Sequence, residues 1–333
     1  MRAFVLTGYG AISDHVRLAE LPDPVAGPNE IVIEIHAASL NPIDFKLVHG
    51  ALKRISNYKL PRPIGFDASG IVLSAGAGAT KFKPGDTVYA RASRDTIGTF
   101  AEKIALPENL VAFKPSPISH AEAASLPLVG LTTLQGFGRA GARAGQRILI
   151  HAGSGGVGTF AVQYARYLGL HVTSTTSSKN ADFVKSLGAD KVIAYDRENY
   201  LEQGGGYDIV YDTLGGAFTV DAFKVVKRGG VVISLSGPPD RDFARREGAG
   251  LLVRIAVWVM GRKVYAASAK AGAAYCWFFT ESSGDQLREI AALVEHGAIK
   301  PVIDREFAFE QLPDALSYLE AGRARGKVVL KVR

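Results

Sequence analysis

Residues 147–158 constrain the fold of this chain more than any other segment. They read Arg-Ile-Leu-Ile-His-Ala-Gly-Ser-Gly-Gly-Val-Gly, an apolar strand pattern that runs into a glycine turn, and an amphipathic helix is predicted over 157–168. Glycine permits a tight turn and lets the backbone approach a pyrophosphate, while the start of a helix offers unpaired N–H groups and a favourable dipole. A second strand follows about 20 residues later, so the glycine turn and its flanking strand and helix predict a dinucleotide site. A tight turn without a ligand would account for only one or two of these glycines. The predicted cofactor residues here are Gly153, Ser154, Gly155, Gly156, Val157 and Gly158.

The end of the second strand, residues 171–175, distinguishes between the two nicotinamide dinucleotides. An NAD site normally places an acidic residue there, which accepts hydrogen bonds from the ribose hydroxyls. This strand instead ends in Thr-Thr-Ser-Ser-Lys-Asn over 175–180, with no carboxylate before Asp182. Hydroxyl groups and a lysine suit a 2′-phosphate, which a carboxylate would repel. The sequence therefore favours NADPH (NADP+), and this holds even if Ser177 or Ser178 also caps the following helix.

The strand and helix patterns change along the chain and indicate two domains, as its 333 residues also do. Up to about residue 120, short strands such as 30–36 and 98–104 alternate with Pro/Gly turns, the pattern of a β-rich, partly open barrel. Strands then alternate with helices, which is typical of a doubly wound parallel sheet in an α/β fold. The final strand, 327–332, is expected to return to the first domain.

These patterns set the predicted domain boundaries. An α/β Rossmann domain over 122–283 is expected to be inserted into a β-rich domain formed by residues 1–121 and 284–333.

Cysteine usage and apolar runs exclude several classes of protein. The single cysteine, Cys276, rules out disulfides within the chain and a zinc site built mainly from thiolates. Residues 1–6 resemble a first strand and not a signal peptide. The longest apolar run, 251–260, contains Arg254 and is too short to span a bilayer. A cytoplasmic protein with no membrane partner is therefore expected.

The net charge of +7 is compatible with a nucleic-acid or membrane-surface partner. The basic residues are scattered, however, apart from Arg241, Arg245 and Arg246 in one polar loop. A basic surface that also suits an anionic cofactor is the favoured interpretation, and a nucleic-acid or membrane-surface partner is the less favoured alternative.

Motifs along essentially the whole chain resemble the medium-chain dehydrogenase/reductase superfamily, specifically its zinc-free quinone oxidoreductase branch. The C-terminal third, from Tyr275 onward, is similar to the mitochondrial reticulon-interacting reductase of that branch. The resemblance implies that the β-rich domain is a GroES-like catalytic and substrate domain. The segments that carry it are 38–44, 65–70, 126–133, 153–158, 187–190, 207–208 and 325–329.

Zinc-dependent relatives hold a catalytic metal with Cys, His and Cys. The matching positions here are Asn41, Phe66 and about Val129, none of which replaces a thiolate or an imidazole. The seven histidines show no ligand-like pairing. The expectation is therefore that no metal is bound.

The resemblance also implies roles for individual residues. Asn41, Asp44 and Thr133 are expected near the nicotinamide, and Ser154, Gly156 and Val157 at the pyrophosphate. Ser177, Lys179 and Tyr195 are expected around the 2′-phosphate. Thr213 and Leu235 are expected to border the nicotinamide ribose, and Phe279 and Lys327 to close the cleft.

Without a Lewis acid, hydride addition to a plain aldehyde builds a localised oxyanion that hydrogen bonds alone must stabilise. Addition to a quinone, or to the β-carbon of an enone, spreads that charge through a phenolate or enolate. The sequence thus predicts a quinone or enone reductase whose donors include the amide of Asn41. Asp44 and Tyr58 are the other catalytic candidates, with Tyr58 as a proton donor to the α-carbon. The alternative is an NADPH-binding redox sensor or RNA-binding protein of the zeta-crystallin type.

The segment after the last parallel strand predicts the assembly. Residues 251–260 and 264–279 are rich in apolar side chains, and in zinc-free relatives a strand near there pairs across a two-fold axis. An exposed sheet edge with apolar flanks would otherwise promote aggregation. A homodimer is expected, with the helix that begins at Leu251 covering the interface or a neighbouring cleft.

Overall fold

The chain forms two structural units in a computed structural model, which describes residues 1–51, 53, 58–241, 243–246, 248 and 250–333. One unit comprises Met1–Leu131 together with Glu281–Arg333, and the other comprises Thr132–Thr280. We call them the discontinuous unit and the inserted unit. The sequence-based limits of 122–283 for the inserted domain stay a prediction; in this division residues 122–131 belong to the discontinuous unit.

The strands are β1 Arg2–Leu6, β2 Val16–Glu20, β3 Glu30–Leu40, β4 Arg62–Pro63, β5 Asp67–Ala75, β6 Thr87–Arg91, β7 Lys103–Pro107, β8 Val111–Phe113, β9 Arg147–Ile150, β10 His171–Thr176, β11 Lys191–Ala194, β12 Tyr207–Asp212, β13 Val226–Ser234, β14 Ala274–Cys276, β15 Ile303–Ala308 and β16 Lys327–Lys331. The α-helices are α1 Ile12–His15, α2 Pro42–Val48, α3 His120–Ala124, α4 Pro127–Ala140, α5 Gly156–Tyr167, α6 Ala181–Ser186, α7 Ala217–Val225, α8 Phe243–Arg246, α9 Leu251–Ala271, α10 Gly284–Glu295 and α11 Leu312–Glu320.

The inserted unit is built on a parallel six-stranded sheet with the order β11-β10-β9-β12-β13-β14. The chain starts in the middle at β9, winds outward to β11 and then crosses back to β12, which is the strand order of a Rossmann fold. Apolar side chains on the central strands, including Ile148, Ile150 and Ile209, are fully buried and pack with those of α5. The fold predicted for this part of the chain is confirmed.

The discontinuous unit is mainly antiparallel. Its larger sheet follows the path β15-β16-β3-β5-β6-β8 with β7 also paired to β3, and a smaller sheet has the order β2-β1-β4. The C-terminal strand β16 pairs with β3, with Leu40 opposite Val328. The expected return of the final strand to the first domain is therefore confirmed, and it places residues from both ends of the chain side by side.

The predicted strand over 98–104 is only partly present. Gly98 has a φ of +148°, and residues 100–102 contact β1 through single bonds, such as that from the Phe4 N–H to the Phe100 carbonyl at 2.8 Å. Regular pairing with β3 begins only at Lys103. The alternation of apolar residues is real, but the chain here passes from one sheet to the other, which a local pattern cannot reveal.

Candidate nucleotide site and buried polar cluster

The glycine turn lies at the carboxyl end of β9, in the middle of the parallel sheet, and Gly155 is the N-cap of α5. A Cβ on Gly158 would lie 2.2 Å from the Ala152 carbonyl oxygen, and a Cβ on Gly153 would lie 2.1 Å from the Ser174 hydroxyl. These two glycines are therefore required by packing within the protein. A Cβ on Gly155 would meet only the Ala152 oxygen, at 3.4 Å, so this position has space beside it for a ligand to approach.

Hydrogen bonds link the turn to the neighbouring strand β10. The Ser154 hydroxyl accepts from the Thr176 hydroxyl at 2.8 Å and from the Asn180 amide at 3.3 Å, and the Thr175 hydroxyl accepts from the Ala152 N–H at 3.2 Å. His151 is fully buried next to Thr175, and burial lowers its pKa to about 4. The ring is therefore neutral near pH 7 and adds no charge to the turn.

The residues expected at a 2′-phosphate follow β10 and β11. Ser177 is buried, whereas Lys179 and Tyr195 are exposed, and the Tyr195 N–H donates to the Thr176 carbonyl at 3.0 Å. That bond places Tyr195 at the same edge of the sheet as Ser177. The side chains of Lys179 and Tyr195 are accessible to a ligand.

Asp196 is a carboxylate at this edge that the sequence argument missed. Its oxygens accept from the Ser178 N–H at 2.7 Å and from the Ser178 hydroxyl at 2.6 Å, and these bonds lower the pKa of Asp196. The sequence argument considered only the residues after β10, whereas Asp196 follows β11, the strand beside it. The carboxyl ends of parallel strands lie at one edge of the sheet, so the strand order predicts that Asp196 lies near the end of β10.

The other cofactor candidates of the inserted unit are distributed as follows. The Thr213 hydroxyl donates to the His151 carbonyl at 3.0 Å, and the Leu235 N–H donates to the Asp212 carbonyl at 2.9 Å. Thr213 and Leu235 thus lie at the carboxyl ends of β12 and β13, on the edge that carries the glycine turn. Thr133 is fully buried in α4, and Phe279 packs edge-on against Trp277 with ring centroids 4.8 Å apart.

A second cluster, in the discontinuous unit, brings Asn41 together with Asp67 and Lys327. The Asn41 amide nitrogen donates to Asp67 Oδ2 at 2.9 Å, and its amide oxygen accepts from the Lys327 ammonium group. Lys327 also donates to the Leu40 carbonyl at 2.9 Å and lies 3.6 Å from Asp67 Oδ2. Sheet register explains the grouping, because Ser39 is opposite Asp67 and Leu40 is opposite Val328. The structure therefore places Lys327 directly against Asn41.

Asn41 is also the N-cap of α2, and Asp44 is the third residue of that helix. Asp44 Oδ2 accepts from the Asn41 N–H at 2.6 Å, while the other oxygen, Oδ1, is buried and has no hydrogen-bond partner. Burial raises the pKa of Asp44 to about 8. Its carboxyl group is therefore mostly protonated at neutral pH, and one polar atom is left available for a ligand.

The charges of this cluster are all removed from water. Burial raises the pKa of Asp67, an effect that Lys327 and the hydrogen bond from Asn41 oppose. Burial likewise lowers the pKa of Lys327 and of Arg91, and the Asp67 carboxylate opposes both shifts most strongly. Asp67 and the two cations thus stabilise one another in a medium where any one of them alone would be costly.

Asp67 and Arg91 were absent from the sequence-based site. Both are nearly fully buried, and they are opposite each other in the pairing of β5 with β6. Asp67 accepts from the Ser39 hydroxyl at 3.2 Å and the Leu128 N–H at 3.1 Å, and Arg91 donates to the Ser282 hydroxyl at 2.7 Å. In the sequence, each of them is a charged residue at one end of an apolar strand. This pattern indicates a buried charge only when the fold is known.

Tyr58 is half-buried, and its hydroxyl donates to the Arg94 carbonyl at 2.8 Å. The Arg62 guanidinium lies 4.8 Å from the centre of its ring. A role as proton donor stays a prediction, and it would require Tyr58 to exchange this hydrogen bond for one to the substrate.

The chain matches two protein families. Residues 187–330 match the family described as zinc-binding dehydrogenase, and residues 27–116 match the alcohol dehydrogenase GroES-like domain. NAD(P)H oxidoreductase RTN4IP1, mitochondrial, of Bos taurus is 35% identical, with 100% of this chain and 89% of the relative covered. The chloroplastic NADPH-dependent alkenal/one oxidoreductase of Arabidopsis thaliana is 34% identical over 99% of this chain and 79% of its own length. A solved structure, the quinone oxidoreductase from Coxiella burnetii, superimposes with a TM-score of 0.87 at 30% identity, covering 100% of this chain and 99% of the other.

The name of the first family implies zinc, but the residues of this chain do not fit that metal. Asn41, Phe66 and Val129 offer an amide, a ring and an aliphatic group where thiolates and an imidazole would be needed. The Asn41 amide is moreover already bonded to Asp67 and Lys327. Within the described part of the chain, no group of three His, Cys, Asp or Glu side chains is placed to hold a metal ion.

Proposed function

The chain belongs to the medium-chain dehydrogenase/reductase superfamily, with quinone oxidoreductases among its homologues, and from this premise we propose that it is an NADPH-dependent quinone and enone reductase. The reaction would add hydride to a quinone or to the β-carbon of an α,β-unsaturated carbonyl compound. The observation that carries the proposal is the glycine turn at the carboxyl end of β9, together with a polar cluster around Asn41 whose side chains do not fit a zinc ion.

The residues of the inserted unit fit the cofactor. The open position at Gly155 and the start of α5 would receive the pyrophosphate, and Ser154 and Thr213 lie along the same edge of the sheet. Ser177, Lys179 and Tyr195 would hold the 2′-phosphate. When bound there, NADPH supplies the hydride, and the protein contributes binding and orientation.

The polar cluster would stabilise the charge that develops on the substrate oxygen. One Asn41 amide hydrogen is used by Asp67, whereas the other makes only a long contact of 3.5 Å with the Ser39 carbonyl. That second hydrogen is the one Asn41 has available for an oxyanion. The protonated Asp44 carboxyl group, with its unpartnered Oδ1, is a further donor, and Lys327 holds the Asn41 amide in position.

Steady-state oxidation of NADPH with a panel of quinones, enones and saturated aldehydes tests the proposal. Turnover of the conjugated substrates and little or none of the saturated aldehydes is expected. The alternative, a redox sensor or RNA-binding protein, predicts tight NADPH binding without turnover of any electrophile, and that result would refute the proposed activity.

Cofactor preference is the first specific prediction. NADPH is expected to bind at least about tenfold more tightly than NADH, equivalent to about 1.4 kcal/mol. Lys179→Ala and Tyr195→Phe should each reduce this preference while leaving NADH affinity nearly unchanged, because only NADPH carries the 2′-phosphate that these residues would contact. Dissociation constants from fluorescence titration check it.

Lys185→Ala provides the matched control, since Lys185 is an exposed lysine on the helix after Lys179. It should leave the ratio of the two affinities unchanged. Equal affinity of the parent protein for NADPH and NADH would contradict the assignment of the 2′-phosphate site.

Assembly as a homodimer is the second prediction. Strand β14 pairs with β13 on one side, and among the described strands none pairs with its other side. An open edge of this kind can pair with its copy across a two-fold axis. Light scattering at micromolar concentration should give twice the mass of the chain. A monomer under these conditions would exclude the proposed pairing.

Location in the cell stays a prediction. In the described part of the chain, no helix combines the length and apolarity needed to cross a membrane. The sequence-based expectation is a cytoplasmic protein, whereas the names of two relatives place those proteins in mitochondria and chloroplasts. Fractionation of the source cells would decide between these locations.

A further inference from the structure

The N-terminal half of α9 exposes an unusual amount of apolar surface. We call residues 251–260 the exposed end of α9, since only Val257 in it is buried. Seven of the fifteen exposed large apolar side chains in the described residues lie in this segment, with exposures from 47% for Val259 to 82% for Leu252. A patch this concentrated marks an interaction surface, whereas scattered exposed apolar residues need no explanation.

The helix has two apolar faces. Val257, Gly261 and Val264 are buried against the inserted unit, as the spacing of a packed helix requires. Leu252, Ile255 and Val259 are spaced three and four residues apart on the opposite face, which points away from the unit. Trp258 and Met260 are exposed beside them. The outer face is therefore available to a partner, since none of the described residues covers it.

The charged side chains of α9 itself all have one sign. Arg254, Arg262, Lys263 and Lys270 are exposed on α9, and residues 248–280 contain neither aspartate nor glutamate. The first turn of the helix also carries no acid, so the partial positive charge of the helix N-terminus adds to that of the side chains. The partner that complements this surface is apolar and anionic at the same time.

A second copy of the chain fits this description poorly. In a symmetric dimer the same patch meets itself, so the cations of one helix would face the cations of its copy. The sequence-based expectation that this helix covers the dimer interface would thus bring like charges together. A nucleic acid would neutralise the cations but would leave Leu252, Ile255 and Val259 without an apolar partner.

We propose that the exposed end of α9 docks the protein onto an anionic lipid bilayer, which departs from the sequence-based expectation of no membrane partner. The helix would lie in the plane of the interface, with Leu252, Ile255 and Val259 among the acyl chains and Trp258 at the level of the headgroups. Arg254 and Arg262 would contact lipid phosphates from its flanks, and Lys263 would do so from one turn beyond Val259 on the same face. Because four cations interrupt α9, it lies on the membrane and does not span it. The inference does not depend on the proposed activity.

Co-sedimentation of the full-length protein with lipid vesicles tests this. The protein should bind phosphatidylcholine vesicles that contain about 30% phosphatidylglycerol and should bind pure phosphatidylcholine at least about tenfold more weakly, since each cation near an anionic surface contributes about fivefold. Binding should weaken between about 50 mM and about 500 mM salt. Emission of Trp258 should shift to shorter wavelength on binding, and Trp258→Phe should lose that shift.

Matched variants assign the binding to this surface. Leu252→Asp, and separately Arg262→Glu combined with Lys263→Glu, should each weaken vesicle binding at least about tenfold. Val25→Asp is the control for the first change, because Val25 is also exposed but lies outside α9. Lys81→Glu combined with Lys83→Glu is the control for the second, with the same change in net charge at exposed positions. Unchanged melting temperatures and NADPH binding would show that all four proteins are folded.

Three results would overturn the proposal. The first is failure of the parent protein to bind anionic vesicles at low salt. The second is vesicle binding that the α9 variants do not weaken more than their controls. The third is absence of vesicle binding together with evidence for another partner. A change in oligomeric state on Leu252→Asp would assign the surface to a second copy of the chain. Retention of an RNA oligonucleotide through Arg262 and Lys263 would assign it to a nucleic acid.

Discussion

Deuteride from labelled NADPH is expected at the β-carbon of an α,β-unsaturated ketone, so the product is the saturated ketone and not the allylic alcohol. The groups at Asn41, Phe66 and Val129 provide no Lewis acid for a localised alkoxide. An enolate spreads its charge and needs only one or two hydrogen bonds, which we propose that the Asn41 amide and the Asp44 carboxyl group donate. NMR of the product locates the label. Deuterium at the carbonyl carbon would show alcohol-dehydrogenase chemistry and would refute the mechanism.

Asn41→Ala measures how much of this stabilisation the amide provides. Turnover should fall by about 1–3 kcal/mol of barrier, without weaker binding of NADPH, because the lost hydrogen bond is formed in the transition state. Ser39→Ala is the matched control, since it removes another hydrogen bond to the same oxygen of Asp67 but leaves the Asn41 amide in place. An equal loss in both variants would show that Asn41 acts only through the cluster.

Removal of metal is the complementary test of the same mechanism. Dialysis against a strong chelator should leave activity and melting temperature unchanged, and elemental analysis should find much less than one zinc per chain. Stoichiometric zinc that is lost together with activity would show that the positions of Asn41 and Phe66 were assigned wrongly to the metal-ligand sites.

Lys327→Met is expected to destabilise the discontinuous unit by about 3–5 kcal/mol, because it leaves a buried carboxylate at Asp67 without its cation. The change also removes the donor to the Leu40 carbonyl and to the Asn41 amide oxygen. Methionine keeps the length and apolar volume of lysine, so the loss reports on charge and hydrogen bonding. Urea denaturation followed by circular dichroism gives the free energy of unfolding.

Two further variants separate the buried pair from general effects of lost charge. Lys331→Met removes an exposed lysine at the end of the same strand and should change stability by no more than about 0.5 kcal/mol. Asp67→Asn combined with Lys327→Met removes both charges and should recover at least half of the loss, since the carboxylate that had lost Lys327 is then gone and only Arg91 remains charged. A Lys327→Met protein as stable as the Lys331→Met protein would show that Asp67 is not a buried carboxylate.

Local patterns in the sequence were enough to predict the Rossmann unit. The apolar strand, the glycine turn and the amphipathic helix over 147–168 each depend on residues close together in the chain, and the alternation of strands and helices after residue 120 implies a parallel sheet. The same local patterns led to the prediction that residues at the end of β10 distinguish between the two cofactors. These patterns could not show that Gly153 is needed for packing, because a Cβ there would clash with the Ser174 hydroxyl of another strand. Nor could they show that a Cβ on Gly158 would clash with the Ala152 carbonyl oxygen while Gly155 leaves space.

Only the tertiary structure decided which charges act together. Lys327 and Asn41 are 286 positions apart and meet because β16 pairs with β3, while Asp67 and Arg91 join them through the pairing of β3, β5 and β6. Asp196 likewise reaches Ser178 because β11 lies beside β10. Sequence patterns record the periodicity of one strand, whereas the neighbours and register of that strand depend on long-range packing. The chain alone therefore determined which kind of fold and cofactor to expect, and the sheet register determined which buried groups surround Asn41.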